Sequence, residues 1–121
     1  MTTLRLRILF DGAMIGPGKA ELLERIRDTG SIAAAGRQMQ MSYRRAWMLV
    51  EEMNGAFLDP LVMSTRGGPR GGGAQLTPTG IRVLGLYRDI VATAEAATAS
   101  RIDALQEMLR PPIVSGPRPD F

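Results

Sequence analysis

Gly30-Ser31-Ile32-Ala33-Ala34-Ala35-Gly36-Arg37-Gln38-Met39-Gln40-Met41-Ser42-Tyr43-Arg44-Arg45-Ala46-Trp47-Met48-Leu49-Val50-Glu51-Glu52-Met53-Asn54 reads as two helices joined by a tight turn. Ser31 is placed to cap the first helix and Ser42 the second, each hydroxyl accepting from an orphan backbone N–H. Neither serine has Glu or Gln three residues later, so the reciprocal capping box is absent from both. Ala34, Ala35 and Gly36 give the first helix a small face that a crossing helix can approach closely. In the second helix, Ala46, Val50, Met53 and Phe57 fall three and four apart and predict one buried stripe. Tyr43, Arg44, Trp47 and Met48 then lie on the opposite, outward face. A short helix, a turn, and a second helix opening with arginine and aromatic side chains is the helix-turn-helix plan. Its recognition helix runs from Ser42 to about Asn54.

Upstream, Leu4 to Phe10 alternates, with Leu4, Leu6, Ile8 and Phe10 on one face and Arg5 and Arg7 on the other, as in a half-buried strand. The two arginines are read as a solvated face in preference to phosphate contacts. Asp11-Gly12 opens a turn, and Pro17 suits the first turn of a helix that runs to Thr29, buries Leu22, Leu23 and Ile26, and is stopped by Gly30. Downstream, Asn54-Gly55 and Asp59-Pro60 mark a connection, Leu61 to Arg66 reads as a strand, and Ala74-Gln75-Leu76 reads as its returning partner. The glycine-rich tip between them makes this hairpin a wing. Gly68, Gly71 and Gly72 let backbone approach a groove closely, and Arg66 and Arg70 supply charge. A nucleotide phosphate loop is rejected, because the stretch lacks the Gly-Lys-Ser/Thr ending and opens no helix.

Thr77-Pro78 starts a helix that nothing breaks before Pro111-Pro112. Thirty residues at 1.5 Å each would span about 45 Å. Its stripe of Leu84, Tyr87, Val91, Ala94, Thr98, Ile102, Leu105 and Leu109 outruns any core that a domain of this size can build, and so predicts a second copy of the chain against it. The expected fold is mainly α with a small β-hairpin: a winged helix-turn-helix over residues 1–110, with a C-terminal dimerisation helix at about 77–110. Residues 111–121, with four prolines, are expected to be an irregular or disordered tail.

Composition narrows the function classes. In 121 residues with 45% hydrophobic there is room for one aliphatic core. With no cysteine and no histidine, thiol nucleophiles, disulfides, thiolate metal sites, imidazole bases and the commonest metal ligand are all excluded, so no enzyme is expected. Glu51 and Glu52 are adjacent and diverge by about 100° on a helix, so they cannot serve one acid–base site. Met39, Met41 and Met53 suit core and joint packing, while Met48 shares the face of Arg44. The net charge of +3 is uneven: Arg37 to Arg88 carries seven basic and three acidic residues, Asp89 to Phe121 three basic and five acidic. The positive half is the half that would face phosphates. Of the fifteen basic residues only Lys19 is lysine, a bias that phosphate recognition and a GC-rich genome explain equally. The start lacks the apolar core of a signal peptide and no run reaches membrane-spanning length, so a cytoplasmic protein without membrane attachment is expected.

Ser42-Tyr43, Ala46-Trp47, Glu52-Met53-Asn54, Leu61-Val62, Gly67-Gly68, Gly71-Gly72-Gly73-Ala74, Leu76-Thr77 and Gly80 together resemble the DNA-binding domain of ModE-type molybdate-responsive transcriptional regulators. The opening Gly30-Ser31-Ile32 is shared with LysR-type helix-turn-helix domains, and the resemblance spans roughly Leu22 to Ile90. It implies sequence-specific binding of double-stranded DNA at an inverted-repeat operator by a homodimer, with molybdate uptake or molybdenum-enzyme genes as targets. The residues so implicated are Ser31, Ser42, Tyr43, Arg44, Arg45, Trp47, Met48, Arg66, Gly68, Arg70, Gly71 and Gly72. Arg45 departs from a pattern in which a small residue is common, so operator preference is expected to differ. The family's C-terminal molybdate-binding barrels have no counterpart within these residues, so no cofactor is expected and direct molybdate binding is not. The competing reading is a non-catalytic winged-helix module that turns its recognition face to another protein. Clustered arginine beside a glycine-rich wing favours nucleic acid.

Overall fold

The computed structural model describes residues 2–65 and 73–111. A first antiparallel hairpin, β1 (Ile8–Phe10) and β2 (Ala13–Ile15), leads into α1 (Pro17–Thr29), α2 (Ile32–Gln38) and α3 (Tyr43–Ala56). A second antiparallel hairpin follows, β3 (Val62–Thr65) and β4 (Gly73–Leu76), and then the long α4 (Pro78–Glu107). The helices and the second hairpin fall where the sequence puts them, with α3 running two residues beyond Asn54 and α4 ending at Glu107 instead of near 110.

The N-terminal strand is shorter than its alternation predicts. Only Ile8, Leu9 and Phe10 join a ladder, facing Ile15, Met14 and Ala13. Residues 2–7 turn onto α4 instead: the Tyr87 hydroxyl donates to the Leu6 carbonyl at 2.6 Å, and the Thr2 hydroxyl to Gln106 Oε1 at 2.8 Å. Leu4, Leu6 and Ile8 are half-buried as expected, but Phe10 is 52% exposed because it flanks the turn with no element laid over it. The unexpected strand β2 follows from Asp11-Gly12, with Gly12 at φ 85°, set between apolar residues.

Local chemistry sets the helix ends. Ser31, Ser42 and Thr77 accept from the N–H groups of Ala34, Arg45 and Gly80, three residues on in each case. Gly30, at φ 71°, closes α1 by donating to the Ile26 carbonyl at 2.8 Å. The core lies between α1, α3, the second hairpin and the start of α4. Leu22, Leu23, Ile26, Met53 and Leu61 are its largest fully buried side chains, each contributing about 1.5–3 kcal/mol of apolar burial. Ala46, Val50 and Met53 form the buried stripe of α3, while Phe57, past the helix end, is only half-buried. Ala35 and Gly36 bring α2 against it: a Cβ on Gly36 would stand 3.1 Å from that of Ala46.

Along α4, only Gly80, Leu84 and Tyr87 are buried. Arg88 donates through Nε to Glu24 at 2.8 Å, tying α4 to α1, and this hydrogen bond raises the Arg88 pKa above its usual value. Arg88 is therefore a structural cation, not one of the phosphate-facing set. Beyond Val91 the helix leaves the core, and part of the stripe assigned to a second chain is lined by the chain's own N-terminal residues. Thr2 and Leu4 share a groove with Glu95, Ala99, Ile102 and Asp103. Among the described residues, no helix is long and apolar enough to cross a membrane. The tail expectation for 112–121 lies outside the described residues.

Candidate nucleic-acid interface

The turn between α2 and α3 aims the start of α3 outward. Met41 N donates to the Gly36 carbonyl at 2.9 Å, and between them Gln40 adopts φ 59°, the left-handed region that costs a side-chain-bearing residue about 1–2 kcal/mol. Ser42 then caps α3, whose N-terminus carries the positive end of the helix dipole. On this first turn and a half, Tyr43, Arg44, Arg45, Trp47 and Met48 are all exposed, with Tyr43 at 57% and Trp47 and Met48 each at 44%. These large apolar surfaces face away from the core beside charge, which is uncommon for side chains that serve only packing.

Trp47 and Tyr43 meet the wing. They line one groove with Ser31 and Ile32 at the start of α2 and with Thr65 and Gly73 at the end of the second hairpin. Trp47 thus borders both α3's outward face and the hairpin. Ser31 is half-buried in the groove wall, whereas Ser42 is exposed at the start of α3 and does not line the groove. The last described rung of the hairpin is Thr65 opposite Gly73, where Gly73 N donates to Thr65 Oγ1 at 3.1 Å. Arg66, Gly68, Arg70, Gly71 and Gly72 lie outside the described residues.

Charge completes the surface. Among the described residues, ion pairs join Lys19 to Glu52, Arg25 to Glu21, Arg27 to Asp28 and Arg88 to Glu24. Arg37, Arg44 and Arg45, clustered around the α2–α3 turn, pair with no carboxylate in that set. Unpaired guanidinium groups beside exposed rings and a capped helix N-terminus suit a polyanion with stacked, partly apolar edges. No group of three His, Cys, Asp or Glu side chains capable of holding a metal ion occurs among the described residues.

Sequence reasoning passed over the residue that sets the wing against α3. Asn54 Oδ1 accepts from Leu61 N at 2.8 Å and from Val62 N at 3.1 Å, while its Nδ2 donates to the Val62 carbonyl at 3.1 Å. Its signal was its spacing, four residues after Val50 on the buried stripe, where a polar side chain must find backbone partners. From the other side, Ala74 N donates to the Gly30 carbonyl at 2.9 Å and anchors β4 to the α1–α2 joint.

No family model matches the chain. It is 39% identical over 98 residues to the molybdenum-pterin-binding protein MopB of Rhodobacter capsulatus, covering 81% of this chain and 35% of that protein. It is 37% identical over 98 residues to the molybdenum transport protein ModE of Azotobacter vinelandii, with the same two coverages. Against the DNA-binding transcriptional dual regulator ModE of Escherichia coli K12 it is 40% identical over 76 residues, 63% of this chain and 29% of that one. The chain thus matches about a third of the length of the first two curated relatives, 35% of each. Among solved structures, the crystal structure of a CbnR_DBD–DNA complex superposes with a TM-score of 0.55 at 20% identity, covering 72% of this chain and 95% of that one. That likeness bears out the winged helix-turn-helix fold.

Proposed function

We propose that this chain, a relative of the ModE-type transcriptional regulators over about a third of their length, binds double-stranded DNA as a homodimer and thereby controls transcription. The observation that carries the reading is the exposed start of α3, where Arg44 and Arg45, which pair with no carboxylate among the described residues, stand beside exposed Tyr43, Trp47 and Met48. In this reading α3 enters the major groove, Arg44 and Tyr43 reach base edges, Arg45 and Ser42 take phosphate, and Ser31 and Trp47 border the adjacent backbone. Arg66, Gly68, Arg70, Gly71 and Gly72 track the flanking groove. Two copies joined through α4 read an inverted repeat.

The test is a titration of the full chain against a duplex selected from a random pool, at several salt concentrations. A dimer neutralising on the order of six to ten phosphates loses roughly 10³–10⁵ in affinity between about 50 and 200 mM salt. Arg44→Ala is expected to cost about 1–3 kcal/mol on the selected duplex and to relax discrimination at one position. Affinity that ignores salt defeats the reading and promotes the winged-helix module that binds another protein.

The finer reading takes molybdate-uptake or molybdenum-enzyme genes as targets, supported by the molybdenum in the relatives' names. DNA binding by this chain itself is read as independent of molybdate. A tetrahedral dianion needs convergent donors closed off from water. Among the described residues no polar or charged side chain is buried, so none supplies a donor closed off from water. Calorimetric titration with molybdate, with and without duplex, is expected to show no saturable heat. Micromolar binding that tightens the grip on DNA would reverse this.

A further inference from the structure

Met48 points directly away from the core. It lies two residues from both Ala46 and Val50, which at about 100° per residue sets it about 160° around α3 from each of these buried side chains. Arg44, one turn earlier, shares its outer ridge. Tyr43 and Trp47 form the neighbouring pair, turned toward the second hairpin, and they line the groove with Ser31 and Gly73. Neither Arg44 nor Met48 belongs to that lining. Met48 is also absent from the core and from the partly buried residues packed against it. A long apolar side chain thus stands in water between Arg44 and Arg45 on one side and the carboxylate of Glu51 on the other.

We propose that Met48 is a specificity residue that reads the C5-methyl group of a thymine in the major groove, about two base pairs from the base that Arg44 contacts. The proposal rests on the DNA-binding reading above and names the base chemistry of its target. Thymine alone presents an apolar group in the major groove; the other base edges offer donors and acceptors, which a thioether serves poorly. Four residues separate Arg44 from Met48, about 6 Å along the helix axis, against about 3.4 Å between successive bases. The Arg44 fork matches guanine O6 and N7, so the ridge suits a guanine with a thymine close by. Glu51, three residues past Met48, is exposed and joins no ion pair among the described residues. Phosphates repel that carboxylate, which confines reading to the first turn and a half of α3 and makes Met48 its last member. A protein surface is the poorer occupant, because Arg44 and Arg45 beside the methionine would lose water without gaining a counter-charge.

Deoxyuridine tests this, because it keeps the pairing and the O4 acceptor of thymine and lacks only the methyl group. Thymines of the duplex selected by the full chain are replaced one at a time, and binding is measured for the parent, Met48→Ala and Met48→Leu. For the parent, one thymine per half-site is expected to raise the dissociation constant about 3- to 5-fold when replaced, the worth of one buried methyl group. Met48→Ala should bind the unmodified selected duplex about tenfold more weakly, bind random duplex as the parent does, and be indifferent to that one replacement. Met48→Leu, still apolar, should keep the sensitivity. Helicity by circular dichroism should match the parent in both variants, since the core does not use this side chain. If no thymine methyl matters, or if the loss persists undiminished in Met48→Ala, the proposal is overturned while DNA binding stands. An equal loss by Met48→Ala on selected and random duplex would overturn it too, by making Met48 a backbone contact. A chain that selects no duplex would overturn the DNA-binding reading and this proposal with it.

Discussion

Replacing Gly80 by alanine is expected to destabilise the chain by about 2–4 kcal/mol, although alanine is the better helix former by about 1 kcal/mol. A Cβ built on Gly80 would stand 2.1 Å from the Leu61 carbonyl oxygen and 3.0 Å from its carbon. Both neighbours are backbone, so no side-chain rotation relieves the contact, and the start of α4 must back away from the entry to β3. That shift pulls at two bonds holding the joint: Thr77 N to the Leu61 carbonyl at 2.9 Å, and the Thr77 hydroxyl to the Pro60 carbonyl at 2.6 Å. Each is worth about 0.5–1.5 kcal/mol net, and Leu61 beneath them is fully buried. Gly85→Ala is the internal control. It lies on the same helix, exposed, and a Cβ there meets nothing within 4 Å. Urea denaturation should therefore show Gly85→Ala stabilised by about 0.5–1 kcal/mol and Gly80→Ala destabilised. Shifts of the same sign would mean that helix propensity, and not the Leu61 contact, governs position 80.

The contrast between these two glycines marks where the sequence stops being legible. Helix ends are local chemistry, so Ser31, Ser42 and Thr77 as caps and Gly30 as a stop can be read from a few neighbouring residues, and the structure bears them out. The outward set of Tyr43, Arg44, Trp47 and Met48 was legible for a related reason: it is what remains when the buried stripe of Ala46, Val50 and Met53 is subtracted. The failures involve partners far away in the chain. The strand from Leu4 was overextended because Leu6 answers to Tyr87, 81 residues on. Periodicity marks a stripe on α4 but cannot say that residues 2–6 of the same chain will line part of it. Gly80 and Gly85 look alike in one dimension, since only the fold brings Leu61 against the first.

Asn54→Ala is the second large effect, and it joins stability to recognition. The side chain makes three hydrogen bonds to the backbone of Leu61 and Val62, residues exposed by only 0% and 4%. Alanine leaves two N–H groups and a carbonyl at the edge of the core without these partners. A buried backbone group stripped of its bond costs about 1–3 kcal/mol, and some of that is recovered where water enters. A net loss of about 2–4 kcal/mol in urea denaturation is expected. Asn54→Asp separates the contributions, because it keeps the acceptor for Leu61 N and Val62 N but opposes a carboxylate to the Val62 carbonyl, and it should fall between alanine and the parent. The consequence for DNA follows from position. Asn54 sits in the last turn of the helix whose first turn carries Arg44, and it grips the first residues of the wing hairpin. Loosening it frees the hairpin to shift relative to the recognition helix, so the selected duplex should lose more affinity than random duplex, even where the variant is fully folded. An Asn54→Ala protein within about 0.5 kcal/mol of the parent in stability, with unchanged preference for the selected duplex, would show that the hairpin is held by the Gly30–Ala74 and Leu61–Thr77 contacts alone.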